Sequence, residues 1–223
     1  MPRFIIRPYQ DSDYDVARNL FACGIEEHSG EAFRHALRLP HIWLPLSFLF
    51  LFPALHLVSV TTSILAMTLA VAGLWFGARN LHTSYVRFSL SDDLMDIRKY
   101  YMERDGYSFW VAESGGELVG TVAALPSSQP GGEKHLEVKR LSVSRNHRGE
   151  GIGKALCRTV IDFAQKRGCE AVVLTTTEPQ INACKMYEKM GFRHMQTFIP
   201  PAFKYKLLDF KVLAYQYDLP NHR

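Results

Sequence analysis

The sequence VKRLSVSRNHRGEGIGKALC, at residues 138–157, decides the fold of this chain. It begins as an apolar, β-branched run typical of a strand, passes through a basic, glycine-rich loop at 145–153, and continues with apolar residues at helical spacing. The first amides of a helix lack intrahelical partners and carry the positive end of the helix dipole, so a phosphate bound there satisfies both. The glycines in the loop let a ligand approach the backbone closely. This order of elements predicts an anion-binding site.

The spacing of the glycines separates this loop from two common phosphate-binding loops. Lys154 follows the last glycine, but the Ser/Thr and the spacing of a Walker loop are missing. The glycines also lie too close together, and too far along the chain, for a dinucleotide fingerprint. A plain tight turn with solvated arginines is the simplest alternative. The loop resembles the R-x-x-G-x-G signature of the GNAT acetyltransferase superfamily, with Arg148, Gly151 and Gly153 at the three fixed places.

A second stretch, QINACKMYEKMGF at 180–192, resembles the GNAT segment N-x-x-A-x-x-L-Y-x-x-x-G-F. The residues that match are Ala183, Met186, Tyr187, Gly191 and Phe192. Gln180 stands where asparagine is usual, and Asn182 is near enough in sequence to replace it. The two motifs together imply the GNAT acyl-CoA N-acyltransferase fold. This is an α+β fold with a mixed sheet and helices on both faces, which the succession of strand and helix patterns along the chain also predicts.

The resemblance implies acetyl-CoA as cosubstrate and no metal. In the family, the loop cradles the pyrophosphate, and the strand before it splays from its neighbour to admit the pantetheine. The cofactor-binding residues carried over in this way are Leu141, Ser142, Val143, Arg148, Gly149, Glu150, Gly151, Ile152, Gly153, Lys154, Asn182 and Tyr187.

The same resemblance suggests a group for each chemical step. Glu137, found by counting back from Val143, falls where many family members carry a glutamate base. The Leu141 amide would donate to the thioester oxyanion, and Tyr187 would act as catalytic acid for the departing thiolate. The alternatives are a solvated strand-end carboxylate for Glu137 and a core aromatic for Tyr187.

Charge and cysteine usage exclude several classes of function. A net charge of +4 over 223 residues, without a long basic run, gives little support for nucleic-acid binding. The four cysteines show neither a C-x-x-C pair nor a histidine spacing suited to zinc, which indicates free thiols in a reducing compartment. Residues 1–19 are polar and charged, so we expect no cleavable signal there.

One stretch is uncharged, because residues 39–78 contain no Asp, Glu, Lys or Arg. A membrane-crossing helix needs about 20 apolar residues, so this stretch predicts a membrane-embedded segment rather than an apolar core hairpin. Pro45 and Pro53 interrupt it, which indicates a bend or a turn. Arginines flank both ends and favour the cytoplasm for both. We therefore expect a hairpin or a re-entrant segment.

The elements around this stretch indicate how it is inserted. A strand at 4–8 and a helix that starts near Asp11 and Asp13 look like the beginning of a GNAT domain. A helix at 91–102 is predicted to follow the insertion. Both parts must share one core, so the chain must enter and leave the bilayer by the same face. The expected division is residues 1–38 for the first strand and helix, 39–78 for the membrane segment, and 79–223 for the remainder of the domain.

This layout, with FWVAE at 109–113 and VGTVAALP at 119–126, resembles the camello-like N-acetyltransferase 8 family over nearly the whole chain. The resemblance implies a membrane-bound enzyme of the endoplasmic reticulum or a related internal membrane, with its catalytic domain in the cytoplasm. The lipid bilayer and a small-molecule amine are the expected partners, and the oligomeric state is left open.

The acceptor amine is expected to be a cysteine S-conjugate, with aspartate or a protein lysine as alternatives. A non-catalytic membrane protein that binds acetyl-CoA is the alternative from another class. A cation from Lys139, Arg140, Arg193 or His194 would suit an acceptor carboxylate. Strand alternation predicts Glu137 and Lys139 on one face and Arg140 on the other.

Overall fold

In the computed structural model, which describes residues 4–56, 58–128, 132 and 134–220, seven strands form one mixed sheet. The strands are β1 Ile5–Pro8, β2 Ser108–Ser114, β3 Glu117–Pro126, β4 His135–Val143, β5 Ala171–Thr177, β6 Arg193–Phe198 and β7 Val212–Asp218. Their order is β1-β2-β3-β4-β5-β7-β6, and every neighbouring pair is antiparallel except β4 with β5. The predicted mixed sheet is confirmed.

Helices pack on both faces of this sheet. The described helices are α1 Tyr14–Glu26, α2 Ser29–Ala36, α3 Pro40–Ala54, α4 Val60–Ser91, α5 Ile152–Lys166, α6 Ile181–Met190 and α7 Phe203–Leu207. On one face, α5 buries Ile152, Leu156 and Val160, which share one side of the helix because they recur at intervals of four residues. On the other face, α1 contributes Phe21 and α4 contributes Val86 to a separate cluster.

The uncharged stretch forms a helical hairpin, in which α3 packs against α4 and residues 55–59 connect them. The hydroxyl of Ser59 caps α4 by accepting from the Thr61 amide at 3.3 Å. Among the described residues, α4 is the helix long and apolar enough to cross a membrane, and only 6% of its apolar window is buried. A core helix of a soluble protein would be mostly buried. The 15 residues of α3 extend about 22 Å, which is shorter than a hydrocarbon core of about 30 Å.

Helix α4 continues without a break from this hairpin into the domain that contains the sheet. Its first half exposes apolar side chains such as Phe76, which is 71% exposed, whereas Ala78, Leu81 and Val86 are buried against the domain. The sequence-based boundary after residue 78 therefore falls inside one helix. The division into three segments stays a prediction.

The predicted helix at residues 91–102 is wrong over its first half, and after Ser91 only residues 97–102 are helical. Helix α4 already occupies the chain up to Ser91, and the backbone of Asp92, at φ −108° and ψ −109°, leaves helical geometry. The apolar side chains that suggested the helix are buried, but they lie on turns and on a short π-helical segment, Arg98–Met102. The apolar spacing of the sequence did not predict this conformation, because Asp93, which follows Asp92, is held by its hydrogen bonds with the distant Arg140.

The last two strands form an antiparallel pair, with β7 inserted between β5 and β6. The connection between β6 and β7 carries the short helix α7, which the sequence analysis did not anticipate. This connection lies at the same end of the sheet as the glycine-rich loop. The parallel strands β4 and β5 both end there, and β7 begins there because it runs antiparallel to β5.

Candidate active site

Strands β4 and β5 pair only over their first halves, and the site begins where they part. Their parallel register runs from His135 with Ala171 to Val138 with Leu174. Beyond this point β4 pairs with β3 alone, and β5 pairs with β7 alone. The predicted splay of these two strands is therefore present, and it opens a gap at the centre of the sheet.

A bulge in β4 contributes to this parting. On the β3 side, Thr121 pairs with Ser142 and Ala123 pairs with Lys139, so β4 carries one residue more than β3 over this interval. Arg140, within the bulge, has a left-handed φ of +55°. The Thr121 hydroxyl donates to the Arg140 carbonyl at 2.9 Å and so holds the distorted backbone.

The bulge also overturns the predicted alternation along β4. Regular alternation would place Lys139 and Arg140 on opposite faces, yet both line the same cavity, together with Leu141. The left-handed residue rotates the strand, and this rotation turns the Arg140 side chain towards α1 and α4.

The Arg140 guanidinium is held in a buried network. It donates to the carboxylate of Asp93 at 2.5 and 2.8 Å and to the hydroxyl of Tyr85 at 2.9 Å. The same carboxylate accepts from the Tyr101 hydroxyl, and the guanidinium lies over the Phe21 ring. Burial opposes the charged form of Arg140, but the Asp93 hydrogen bonds outweigh it and raise the pKa of the guanidinium. Sequence reasoning missed this network because no local motif links its members.

A cavity of about 280 Å³ occupies the gap between the strands. Its wall combines the parted ends of β4 and β5 with α1, the inner part of α4, α6 and the connection between β6 and β7. The lining residues that sequence reasoning had not selected are Phe21, Ile25, Leu81, His82, Tyr85, Val138, Leu174, Thr175, Thr176, Thr177, Pro200, Tyr205, Phe210 and Val212. Most of these side chains are aromatic or aliphatic, so the cavity suits a ligand with an apolar part.

Tyr187 reaches this cavity from α6. The side chain is buried, and its ring packs edge-on against Phe192 at 5.7 Å and tilted against Tyr215 at 6.0 Å. Burial raises the pKa of its hydroxyl well above the ordinary tyrosine value, so the group stays protonated and can donate a hydrogen bond.

Glu137 and Lys139 lie on one face of β4, as predicted, with the ammonium 3.7 Å from the carboxylate. Lys139 lines the cavity, whereas Glu137, whose side chain is 14% exposed, is not among the lining residues and contacts Lys139. Burial raises the pKa of Glu137, and the charge of Lys139 opposes part of that shift. Arg193 and His194, the other two candidate cations, lie on β6 and pair with Asp218 and Thr197.

The glycine-rich loop begins with a 3-10 turn at Arg145–His147 and ends at Gly151, which caps α5. Gly149 and Gly151 both have a left-handed φ, +84° and +85°, which favours glycine at these positions. The first intrahelical bond of α5 runs from the Ala155 amide to the Gly151 carbonyl at 3.0 Å. The amides of the three residues before Ala155 therefore lack helical partners and suit an anion.

The predicted cofactor-binding residues fall into four groups in space, of which the fourth, Asn182 and Tyr187, lies on α6. Leu141, Ser142 and Val143 end β4, residues 148–151 form the loop, and residues 152–154 form the first turn of α5. Asn182 is exposed on α6, whereas Gln180, which stands at the usual asparagine position, lines the cavity and accepts from the Thr176 hydroxyl at 2.9 Å.

The Arg148 side chain is engaged within the protein. Its guanidinium donates to the Glu27 carboxylate at 2.5 Å and to the Val143 carbonyl at 3.2 Å. It thereby ties the loop to the C-terminal end of α1. The side chain is 44% exposed, so the ion pair contributes little to stability.

The cysteines form no disulfide and belong to no metal-binding cluster in the part of the chain that the structure describes. All four are free, and burial raises the pKa of the Cys157 thiol to about 12, which makes it unreactive. Within residues 4–56, 58–128, 132 and 134–220, no three His, Cys, Asp or Glu side chains come together in a way that could hold a metal ion.

Comparison with known proteins places this geometry in a family. The profile of the acetyltransferase (GNAT) family matches residues 75–192. N-acetyltransferase 8 of Rattus norvegicus is 41% identical over 226 residues, which cover 99% of this chain and 100% of the relative.

Two solved structures share the fold. A GNAT-family acetyltransferase from Staphylococcus aureus Mu50 matches with a TM-score of 0.54 at 16% identity, over 97% of this chain and 99% of its own. A Bacillus anthracis protein described as a streptothricin acetyltransferase, solved with acetyl coenzyme A, matches with a TM-score of 0.50 at 19% identity. That match covers 59% of this chain and 72% of the other.

Proposed function

The chain belongs to the GNAT family, among the relatives of N-acetyltransferase 8, and is an acetyl-CoA-dependent N-acetyltransferase; from this premise we propose that it acetylates a small amphiphilic amine at a membrane surface. The acceptor that fits best is a cysteine S-conjugate, which joins an amino group and a carboxylate to an apolar tail. The observation that carries this proposal is the lining of the cavity, which is mainly apolar and aromatic but includes the ammonium of Lys139.

The balance of cations around the cavity favours one carboxylate on the acceptor. Asp93 neutralises the Arg140 guanidinium, and Lys139 is only loosely paired with Glu137, at 3.7 Å. Lys139 is therefore the group available to a carboxylate, whereas aspartate, with two carboxylates, would require a second cation. The aromatic wall made by Tyr205 and Phe210 suits an S-linked apolar tail.

Three groups around the gap supply the chemistry of transfer. An ammonium acceptor must lose a proton before it can attack a thioester, and Glu137 can take that proton through a bridging water. Leu141 lies beyond the last β4–β5 pair and lines the cavity, which supports its backbone amide as the donor to the developing oxyanion. The protonated Tyr187 hydroxyl gives its proton to the departing thiolate.

The glycine-rich loop supplies the anion site for the diphosphate of acetyl-CoA. The residues that would hold it are the backbone amides of 149–154, with the cationic side chains of Arg148 and Lys154 nearby. The open space beside Gly149 and Gly151, where an added Cβ would meet no atom within 4 Å, fits this role. Gly153 is a glycine for a different reason, because a Cβ there would approach the Met186 sulfur to 3.2 Å. Acetyl-CoA supplies the activated acetyl group. Residues of this chain hold the cofactor, take a proton from the acceptor amine and give a proton to the departing thiolate.

We further propose that the hairpin lies in an internal membrane, such as that of the endoplasmic reticulum, with the catalytic domain in the cytoplasm. The exposed apolar first half of α4 supports membrane contact. Arg34, Arg38, Arg79 and Arg87 are exposed on the catalytic side of the hairpin, and this distribution favours the cytoplasm for that side.

An acceptor panel tests the proposed function. Full-length protein in detergent micelles is given acetyl-CoA and one amine at a time, and thiol release is measured for S-benzylcysteine, aspartate and a lysine peptide. We expect S-benzylcysteine to be the best acceptor and to lose most of its advantage in Lys139→Met. A better rate with aspartate or the peptide would overturn the proposed acceptor class.

A further inference from the structure

We propose that residues 199–208, the docking segment, form a second membrane contact beside the hairpin and attach the cavity to the bilayer surface. The proposal rests on the proposed function in that it takes the hairpin to be embedded in lipid. The proposal goes beyond that function because it assigns lipid contact to a part of the catalytic domain that is far from the hairpin in sequence.

The docking segment has one outward apolar side. Phe203 and Leu207 are one helical turn apart in α7, share a face, and are 76% and 39% exposed. Ile199, before the helix, is also exposed. Nothing in the described part of the chain covers these side chains, and a monomer in water would leave a contiguous apolar patch exposed.

The inward side of the docking segment belongs to the catalytic domain. Leu208 is buried with Ala36 and Leu81, and Tyr205 packs against this cluster. Pro200 and Tyr205 also line the cavity. The segment therefore has two sides, one that forms part of the acceptor pocket and one that faces away from the protein.

Contacts with the hairpin place the docking segment where the hairpin leaves the lipid. The His41 imidazole nitrogen Nε2 is 2.8 Å from the Leu207 carbonyl, and His41 is the second residue of α3. Leu74 of α4 packs against the cluster that holds Leu208. On α4 the uncharged stretch ends at Ala78 and the charged Arg79 follows, so this level is the expected boundary between lipid and water.

The charges around the apolar side fit a bilayer surface. Lys204 and Lys206 are exposed in α7, and Arg34 and Arg38 are exposed on the neighbouring α2. Apolar side chains flanked by cations are typical of interfacial segments, in which the cations approach anionic headgroups. The occupant of this surface is therefore a lipid bilayer that contains anionic lipid.

The arrangement has a consequence for substrate access. Because the wall of the cavity and the lipid contact are two sides of one segment, docking holds the cavity open towards the bilayer surface. An amphiphilic acceptor can then enter with its amine leading while its apolar tail leaves the lipid last.

The depth of three labelled positions tests the proposal. A protein in which Cys23, Cys169 and Cys184, the three thiols that are not fully buried, are replaced by Ser is labelled with an environment-sensitive fluorophore at Phe203→Cys, Leu65→Cys or Lys166→Cys. It is then reconstituted in phosphatidylcholine with some phosphatidylglycerol. Leu65 reports the hairpin, and Lys166, exposed at the C-terminal end of α5, reports water. We expect position 203 to be quenched by a doxyl group near the headgroups, position 65 by one deep in the acyl chains, and position 166 by neither.

The outcomes separate this proposal from the one it rests on. If position 203 behaves like position 166 while position 65 is in lipid, the docking segment is refuted and the membrane-bound enzyme is not. If position 65 also stays in water, the membrane part of the proposed function fails as well.

A kinetic experiment gives a second readout. Phe203→Asp is expected to raise the KM for a vesicle-partitioned S-alkylcysteine about tenfold, and to leave the KM for water-soluble S-benzylcysteine in micelles unchanged. Ile5→Asp, which alters an equally apolar exposed residue on the opposite edge of the sheet, is the matched control. Equal changes for the two acceptors would overturn the proposal.

Discussion

The Asp93 carboxylate accepts two hydrogen bonds from the Arg140 guanidinium, at 2.5 and 2.8 Å, although the two residues are 47 positions apart in the chain. Their side chains are only 4% and 6% exposed. The pair joins the segment that follows α4 to the bulge of β4, where the two central strands separate. The bulge brings a left-handed residue next to Leu141, so the ion pair holds backbone geometry on which the proposed oxyanion donor depends.

Asp93→Asn is expected to destabilise the protein by about 3–5 kcal/mol, because it leaves the Arg140 charge buried without a counter-ion. The measurement is the free energy of unfolding from a urea titration in micelles. Asp105→Asn removes an exposed partner of Arg167 and serves as the control, with an expected unchanged midpoint. Replacing both members of the buried pair with apolar residues should cost less than Asp93→Asn alone, and a larger cost would contradict this account.

Tyr187→Phe is expected to lower kcat about ten- to a thousandfold with little change in the KM for acetyl-CoA, because the thiolate loses its proton donor. Steady-state kinetics on full-length protein provide the measurement. Tyr215→Phe removes a neighbouring hydroxyl that donates to Glu188 at 3.0 Å, and it should retain nearly full kcat. An unaltered kcat in Tyr187→Phe would leave this tyrosine with a packing role only.

Glu137 should set the acidic limb of the pH dependence of kcat/KM. Its pKa is raised by burial, so activity should fall as the pH drops through a value above that of an ordinary glutamate. Glu137→Gln should abolish this limb and lower the plateau about 10²- to 10⁴-fold, whereas Glu117→Gln, at the exposed start of β3, should change neither.

Two further readouts follow from the same shift. Lys139 lowers the pKa of Glu137, so Lys139→Met should move the limb to higher pH. A raised carboxyl pKa means that the folded state binds more protons, so the ionised group reduces stability as the pH rises through that pKa. The melting temperature of Glu137→Gln should accordingly increase relative to that of the wild type as the pH rises. A limb that Lys139→Met does not move would exclude Glu137 as the base.

Much of the site could be predicted from local sequence because its chemistry is local. The left-handed glycines, the free amides of α5 and the Tyr187 position all lie within two short motifs, and a glycine or a helix start has the same backbone consequence in most folds. Asp93 could not be found in this way. Its partner is distant in sequence, and residues 91–102 carry a helical apolar pattern that the tertiary contacts of Asp93 override.

Arg148→Ala is expected to raise the KM for acetyl-CoA about tenfold, because a charge-assisted contact to the diphosphate is lost. Glu27 competes for the same guanidinium at 2.5 Å. Glu27→Gln should therefore leave the KM unchanged or lower it. If Glu27→Gln and Arg148→Ala raise the KM equally, the arginine acts as a tether between the loop and α1 and does not contact the diphosphate.

Cys23 and Cys184 should face the same aqueous compartment, because both belong to the domain that the hairpin interrupts. Labelling with a membrane-impermeant maleimide in sealed, right-side-out microsomes measures this, with detergent-opened vesicles as the control. Cysteines labelled from opposite sides would contradict a shared domain core. Val58→Cys, at the exposed turn of the hairpin, distinguishes the two possible topologies. A hairpin that crosses the membrane twice would let this cysteine be labelled from the far side only, whereas a re-entrant segment would not.

The unbroken course of α4 has a practical consequence for obtaining a water-soluble catalytic fragment. Excising every residue of the apolar helix would also delete Leu81, Tyr85 and Val86, and with them a wall of the cavity and part of the core. A shortened chain should instead be rejoined between Ala36 and Ala78, two fully buried alanines that both belong to the catalytic side. The apolar helix is thus also part of the core of the domain, and we expect only its outer half to be dispensable for folding.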